Sequence, residues 1–337
     1  MKNILVVNVN WVGDVIFSLP IFKALKKSYP DAKIACLAVP RVKEILEGSP
    51  YIDEIMIYDE EGIHRTPLSK LALIRTLRQK KFDIAFILHK SLTRALFAFL
   101  AGIPRRVGYD AKGRGFLLTH RVKPISDPVH RSDYYINVIE SFGIKVEDRV
   151  CEFVVREDSR KIVEELLKKE GVRKDDFLVV ISAGGNWDLK RWPKENFALL
   201  IDRLADELKA KVAIVGAQKD VALVNSIEEK VRAKPITLTG QTNLKELGAL
   251  LERANLFISA DTGPLHLASS VGTNVVGLFG PTRPEMTGPR GKGHAIVIQN
   301  DVGCNRTPCY HLTCPDNVCM RSITVEQVIH EIRQLKN

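Results

Sequence analysis

Short, nearly continuous apolar runs alternate with helix-like stretches along this chain, and the series starts twice. Apolar strands of this kind, separated by helices, indicate a parallel sheet that is covered on both faces. The first series predicts strands at 3–9, 34–39, 55–58, 83–88 and 105–109, with helices at 18–29, 68–80 and 91–101.

The second series begins after about residue 155, where the strand-like CEFVV of 151–155 leads into a charged helix. Two such series predict an α/β protein of two facing, doubly wound, Rossmann-like domains with parallel sheets, which we divide at 1–157 and 158–337. The second series predicts strands at 177–182, 212–216, 236–238, 256–259 and 274–279, and helices at 194–209, 219–232, 243–253, 264–271 and 324–335.

Positive charge is concentrated in the first half of the chain. Residues 1–150 hold 24 Lys and Arg against 16 Asp and Glu, and so carry most of the net charge of +10. The segment 94–131 alone has eight basic and two acidic residues. This excess suits an anionic ligand or an anionic membrane surface, although a merely solvated basic face has the same composition. Nucleic acid is not indicated, because the sequence has neither an aromatic-rich strand nor zinc-finger spacing.

The hydropathy pattern predicts neither a membrane span nor a secretory signal. The most apolar stretch, 85–103, is interrupted by His89, Lys90 and Arg94. The apolar run near the start, 4–7, is too short for a signal peptide. We therefore expect a cytoplasmic protein.

Ligands of open parallel sheets bind beyond the carboxyl ends of the strands, so the loops there matter most. The first such loop runs from Asn8 to Asp14 and lacks the G-x-G-x-x-G pattern of dinucleotide-binding proteins. Gly13 permits a tight turn. Asp14, just ahead of the predicted helix, is either a helix cap or dipole partner, or a general base.

The second loop, 182–193, has the sequence SAGGNWDLKRWP. Its small residues allow a ligand to approach the backbone, and Lys190 and Arg191 supply positive charge for phosphate. The alternative is a loop that merely packs on the core.

The third loop joins a predicted strand to a helix that begins at Pro264. Asp261, Thr262 and Gly263 therefore lie where free backbone N–H groups point outward, which suits a diphosphate. His266 is one turn further and is either a ligand contact or a core histidine. The segment 280–282 follows the next strand and is expected to close the same pocket.

Four motifs in this order are typical of one family: VGDVIFSLP, KRWP, DTGPLHLA and GLFGPT. The chain resembles the ADP-heptose–lipopolysaccharide heptosyltransferases of glycosyltransferase family 9 over essentially its whole length. The resemblance implies a GT-B architecture whose last helix, 324–335, packs back on an acceptor-binding N-terminal domain, while the C-terminal domain binds the donor. It implies inverting, metal-independent transfer of heptose from ADP-heptose to the inner core of lipopolysaccharide.

The resemblance also assigns roles to residues. Asp14 matches the general base, Lys190 the diphosphate-binding base, and Asp220 an acidic ribose contact. Gly185 and Asn186 stand where some members carry hydroxyl residues, so phosphate contacts there are expected from the backbone. The donor-binding candidates are Gly13, Gly185, Asn186, Arg191, Asp220, Asp261, Thr262, Gly263 and His266.

An anionic lipopolysaccharide precursor at the inner face of the cytoplasmic membrane would meet the basic segment. This assignment depends on charge and not on a motif. The acceptor-binding candidates are Arg94, Arg105, Arg106, Arg121 and Arg131.

Six cysteines are present, and four of them follow the spacing C-x4-C-x4-C-x4-C. Structural zinc or another metal, disulfides and a reduced cluster all remain open for these four, which are Cys304, Cys309, Cys314 and Cys319. Cys36 and Cys151 are expected to be buried apolar residues. No motif for a catalytic metal or cofactor is found.

Two other functions compete with the transferase. A nucleotide-sugar epimerase of GT-B type would need no acceptor site, so the basic N-terminal segment argues against it. A non-catalytic nucleotide-sugar binding protein would not need Asp14, Lys190 and Asp261 together.

Overall fold

The computed structural model describes residues 1–309 and 313–336. The chain divides into two compact units, Met1–Phe153 and Val154–Asn337, called unit 1 and unit 2 below. In the described residues each unit contains one six-stranded sheet in which all strand pairs are parallel. The prediction of two doubly wound, Rossmann-like domains is confirmed.

The sheet of unit 1 has the strand order β3-β2-β1-β4-β5-β6. From β1 the chain adds β2 and β3 on one side of β1, and then adds β4, β5 and β6 on the other side. The topological switch point therefore lies between β1 and β4. The strands are β1 Asn3–Val7, β2 Lys33–Ala38, β3 Glu54–Ile57, β4 Ile84–Ile87, β5 Arg105–Tyr109 and β6 His120–Val122.

The helices of unit 1 are α1 Val12–Ser28, α2 Lys43–Leu46, α3 Pro67–Gln79, α4 Leu92–Leu100 and α5 Arg131–Glu140. The predicted start of α1 at residue 18 was wrong, because the helix begins at Val12. Val15, Ile16 and Leu19 are buried on it, and this packing outweighs the weak helix propensity of Val12 and Gly13. Asp14 therefore lies inside the first turn and not ahead of the helix.

The sheet of unit 2 has the order β12-β11-β10-β7-β8-β9, with its switch point between β7 and β10. The predicted strand at 151–155 was wrong, since these residues form irregular chain, and β12 was not predicted. The strands are β7 Leu178–Ser182, β8 Lys211–Val215, β9 Ile236–Thr237, β10 Leu256–Ala260, β11 Asn274–Leu278 and β12 Ala295–Ile298.

The last helix of unit 2 packs on that unit's own core. Val325, Val328 and Ile329 are buried there in one cluster with Trp192 and Phe197. The buried apolar face of this helix therefore belongs to the core of unit 2. The helices of unit 2 are α6 Glu157–Lys169, α7 Lys194–Leu208, α8 Val221–Glu228, α9 Leu244–Arg253, α10 Gly263–Val271, α11 Pro284–Thr287, α12 Val318–Arg321 and α13 Val325–Lys336.

Across residues 1–309 and 313–336, the helices are all too short or too polar to cross a lipid bilayer.

Candidate functional site

A partly buried ion pair spans the switch point of unit 2. Lys190 follows β7 and Asp261 follows β10, and these strands are neighbours in the sheet. The ammonium Nζ of Lys190 lies 2.8 Å from Asp261 Oδ2 and 3.1 Å from the Asp261 carbonyl oxygen. The Asp261 side chain is 3% exposed and the Lys190 side chain 21%. The structure thus joins two predicted site residues that are 71 positions apart.

Asp261 is the centre of this arrangement. Its Oδ1 lies 3.2 Å from Nε2 of His266, and its Oδ2 also accepts a hydrogen bond of 3.1 Å from the Thr287 hydroxyl. Burial by itself would raise the pKa of this carboxyl. The hydrogen bond and charge of His266 and the ammonium of Lys190 outweigh burial and hold the pKa of Asp261 far below its usual range. Asp261 is therefore an ionised anchor that orients Lys190 and His266.

The start of α10 lies beside this anchor. Thr262 is the N-cap residue, but its hydroxyl pairs with the Ser259 hydroxyl at 3.0 Å and does not cap the helix. The first turn of a helix has N–H groups without intrahelical partners and a positive dipole end, so an anion is favoured there. A Cβ built on Gly185 would lie 3.3 Å from Cγ2 of Thr262, so the loop after β7 approaches this turn closely.

Arg191 and Asn186 shape the loop after β7. Arg191 donates a hydrogen bond of 2.9 Å to the Gly185 carbonyl oxygen and forms an ion pair of 3.0 Å with Asp188. The Asn186 side chain accepts a hydrogen bond from Lys219. Both residues therefore hold the loop in shape, which is compatible with phosphate contacts made by its backbone.

Asp220 follows β8, the strand next to β7. It is 5% exposed, and its Oδ2 accepts a hydrogen bond of 3.0 Å from the Ala217 N–H. Its other oxygen, Oδ1, is buried without a hydrogen-bond partner among the described residues. The carboxylate packs directly on Gly184, where an added Cβ would lie 2.4 Å from the Asp220 carboxyl carbon. Gly184 therefore belongs to the site, although the sequence did not mark it.

Gly184→Ala is expected to weaken nucleotide binding and to lower the melting temperature, because the new methyl group must displace the Asp220 carboxylate. Overpacking of this kind costs about 1–3 kcal/mol of unfolding free energy. Thermal melts and ADP titrations of G184A, D220A and the double variant measure the coupling. We expect G184A to cost less stability in the D220A background. Strict additivity would contradict the proposed clash.

Asp14 lies beyond the carboxyl-terminal end of β1 in unit 1, in the first turn of α1. Lys190 and Asp261 follow the carboxyl-terminal ends of their strands in unit 2 in the same way. Its Oδ1 accepts a hydrogen bond of 2.7 Å from the hydroxyl of Tyr135 on α5. Tyr135 is buried, and burial together with the Asp14 carboxylate raises its pKa well above the usual value. A hydroxyl that stays protonated holds the half-buried carboxylate in place. Gly13 precedes Asp14 in the same turn.

Buried cations join the ends of β1, β4 and β5. Arg94, on α4, donates a hydrogen bond of 2.7 Å to the Asn8 carbonyl oxygen, across the switch point of unit 1. Arg114 is fully buried and donates to the carbonyl oxygens of His89 and Tyr109. Burial, Arg94, Arg114 and Lys112 lower the pKa of His89 to about 4. His89 is therefore neutral at pH 7.

The structure separates the five arginines proposed for the acceptor. Arg105 and Arg106 are the first two residues of β5. They therefore lie at the amino-terminal ends of the parallel strands, opposite to the carboxyl-terminal ends of β1 and β4. Arg106 also donates to the carbonyl oxygen of Leu117 at 2.6 Å. Arg121 is exposed on β6, and Arg131 opens α5, the helix that carries Tyr135.

The four spaced cysteines are free thiols in unit 2. Burial raises the pKa of Cys319, and the thiols of Cys304 and Cys314 add to the effect. In the described chain, no three His, Cys, Asp or Glu side chains form a metal-ligating set. Cys36 and Cys151 are buried, as predicted.

Comparison with known proteins gives consistent matches over this whole architecture. The family model for glycosyltransferase family 9 (heptosyltransferase) matches residues 70–318. Lipopolysaccharide heptosyltransferase 3 of Escherichia coli K12 is 32% identical over 279 residues, covering 80% of each chain.

Two solved structures superpose over nearly the full chain. One is a family 9 glycosyltransferase from Veillonella parvula, with 29% identity and a TM-score of 0.89, covering 99% of this chain and 97% of that one. The other is the E. coli ADP-heptose lipopolysaccharide heptosyltransferase II, with 25% identity and a TM-score of 0.81, covering 99% and 98%. With the family model spanning most of both units, the chain belongs to glycosyltransferase family 9, and it is a glycosyltransferase of the heptosyltransferase family.

Proposed function

We propose that this enzyme transfers heptose from ADP-heptose to the inner core of lipopolysaccharide, with inversion at the anomeric carbon. The names of its relatives support this substrate pair. The observation that carries the proposal is the Lys190–Asp261 pair, at 2.8 Å, beside the start of α10 at the switch point of unit 2. A cation held beside a helix N-terminus suits the diphosphate of a sugar nucleotide.

Lys190 is the residue that stabilises the leaving diphosphate. A lysine ammonium has three N–H donors. Two of them are within hydrogen-bond distance of Asp261 oxygens, so one remains for a phosphate oxygen. The positive charge is fixed before the glycosidic bond breaks, and it stabilises the charge that develops on ADP. Thr262 and Gly263 contribute backbone N–H groups, and His266 and Arg191 complete the donor contacts.

Asp220 receives the ribose. Its unpartnered Oδ1 is an acceptor suited to a hydroxyl of the ribose diol, and buried acceptors without a partner are costly unless a ligand completes them. Gly185 and Asn186, in the neighbouring loop after β7, are proposed to contribute backbone contacts to the phosphates. This contact favours no particular base, so the preference for adenine is an expectation from the relatives.

Asp14 acts as the general base. It takes the proton from the acceptor hydroxyl as that oxygen attacks the anomeric carbon from the face opposite to ADP, which inverts the configuration. No metal is needed for these steps, because Lys190 and the α10 turn supply the positive charge.

The acceptor is an anionic lipopolysaccharide precursor, which unit 1 meets at the inner face of the cytoplasmic membrane. Arg94 is 2% exposed, and its Nη2 is buried without a partner in the described residues. The Nη1 of this guanidinium donates to Asn8, so its unpartnered Nη2 is the donor that suits a carboxylate or phosphate oxygen. Arg131, at the start of α5, lies on the helix that carries Tyr135. These two are the stronger acceptor candidates. Arg105, Arg106 and Arg121 are the weaker ones.

Tyr135→Phe is expected to lower kcat by about 10-fold, because the Asp14 carboxylate loses one hydrogen bond of about 1.5–3 kcal/mol and is less well oriented. KM for the donor stays unchanged, because Tyr135 and Asp14 lie in unit 1 and the donor-binding residues lie in unit 2. Tyr134→Phe is the matched control, since the Tyr134 hydroxyl has no hydrogen-bond partner within the described chain. Equal losses of kcat in Y135F and Y134F would show a merely structural role for Tyr135.

Calorimetric titration with ADP, UDP and GDP tests the donor assignment. We expect selective binding of ADP, with the same affinity with and without added Mg²⁺. A preference for UDP would overturn the ADP-heptose assignment and favour a different sugar nucleotide. Binding without any turnover of ADP-heptose on inner-core acceptors that carry no, one or two heptoses would instead indicate a non-catalytic binding protein.

A further inference from the structure

We propose that Cys304, Cys309, Cys314 and Cys319 form a structural site for one thiophilic divalent cation, with zinc as the expected occupant. All four line a single cavity of about 40 Å³ in unit 2. That volume suits one ion and its immediate shell but is far too small for a sugar nucleotide. Four thiols are the ligand set that structural zinc and tetrahedral iron prefer.

Three of the four cysteines are attached to the fold by contacts of their own. The Cys309 N–H donates a hydrogen bond of 2.7 Å to the Pro281 carbonyl oxygen. The Cys314 sulfur accepts a hydrogen bond of 3.4 Å from the Asn317 N–H, and Cys319 donates to the Asn317 side chain at 3.7 Å. Backbone N–H groups directed at cysteine sulfur are the outer-shell contacts that orient and stabilise thiolate ligands.

Cys304 is the fourth ligand and the exposed one. It lies after Gly303 in a segment without helix or strand, so a shift of its side chain breaks no regular hydrogen bonding. A second cavity of about 370 Å³ shares Cys304 and Cys319 with the first, which gives an ion an entry path. Since no three of the described thiols are close enough to hold an ion together, binding of the ion must draw more than one of the four side chains inward, and the exposed Cys304 has the fewest contacts to break.

The site has a positioning role. Leu189, next to Lys190, and Pro281, in the loop after β11, form walls of the same small cavity. An ion held by the four thiols would therefore fix the residues around Cys304, Cys309, Cys314 and Cys319 against both loops. This link to donor binding rests on the proposed function, whereas the presence of the ion does not.

Elemental analysis of the full-length protein, purified under reducing conditions, tests the site directly. We expect about one zinc per chain in the wild type, and less than a tenth of that in C304S and C319S. C151A is the matched control and should keep its metal, because Cys151 is buried in unit 1. Cys304 is exposed, so C304S is expected to fold even if C319S does not.

A second readout is independent of the metal acquired in the cell. Apoprotein titrated with Co²⁺ should develop sulfur-to-cobalt charge-transfer absorption at one equivalent, and C304S should not. No metal after purification together with no Co²⁺ absorption would overturn the proposal. So would four thiols found oxidised as two disulfides in the purified protein. If the cysteine variants lose zinc but keep the ADP affinity of the wild type, the metal site is supported and its positioning role is disproved. The selectivity for ADP is measured separately, so a failure of the proposed function can be told apart from a failure of the metal site.

Discussion

Asp14→Asn is expected to lower kcat by about 10²–10⁴-fold, the usual contribution of a general base, with ADP affinity unchanged. The amide cannot accept the acceptor's proton, but it can still accept the Tyr135 hydrogen bond, so the local structure should persist. Loss of the carboxylate from the first turn of α1 costs about 0.3–1 kcal/mol of unfolding free energy. Steady-state kinetics at saturating donor, with ADP titration of the same variant, measure both effects.

The control variant is Asp31→Asn. Asp31 is an exposed residue in the turn before β2, so it lies at the amino-terminal ends of the strands of the same sheet. It should match the wild type in kcat and in ADP affinity. Full activity of D14N would disprove the assignment of the base, and weaker ADP binding by D14N would give Asp14 a donor-side role instead.

Lys190→Met is expected to weaken ADP binding and to lower kcat by about 10²–10³-fold, as removal of one preorganised charge donor does in other transferases and hydrolases. Breaking a fully buried pair costs about 3–5 kcal/mol of unfolding free energy. The loss here should be smaller, since the Lys190 side chain is 21% exposed and Asp261 keeps His266 and Thr287.

The double variant K190M/D261N separates binding from stability. Neutralising Asp261 removes the unpaired buried charge, so part of the lost stability should return while activity stays low. Lys211→Met, at the exposed amino end of β8, is the matched control. If K190M retains ADP affinity and kcat, then Lys190 serves only the packing of Asp261.

The architecture was predictable from sequence because the signals are local. Each buried strand of unit 2 from β7 to β11 reads as an apolar run, and Pro264 marks the start of α10 within one residue. The start of α1 could not be read in this way. Val12 and Gly13 are poor helix formers, and only the burial of Val15, Ile16 and Leu19 makes the helix begin there.

The residues of the candidate site also differ in how far the sequence alone reveals them. Lys190 and Asp261 could be found because each follows a buried strand in a recognisable motif. Tyr135 could not, since its contact with Asp14 joins residues 121 positions apart and depends on how α1 packs on α5. Gly184 could not be singled out because its role depends on the Asp220 carboxylate, which packs against it and leaves no space for a side chain. Arg105 and Arg106 lie at the amino-terminal ends of the strands because they begin β5. The composition of the basic segment does not reveal this position.

The most direct measurement is a transfer assay with ADP-heptose and a set of lipopolysaccharide inner-core acceptors that carry no, one or two heptoses, comparing the wild type, D14N and D31N. Product mass and the anomeric configuration of the new linkage are recorded together. We expect one added heptose, inverted relative to the donor, from the wild type and D31N, and at most about 1% of that rate from D14N. No transfer by the wild type, or retention of configuration in the product, would contradict the proposed mechanism.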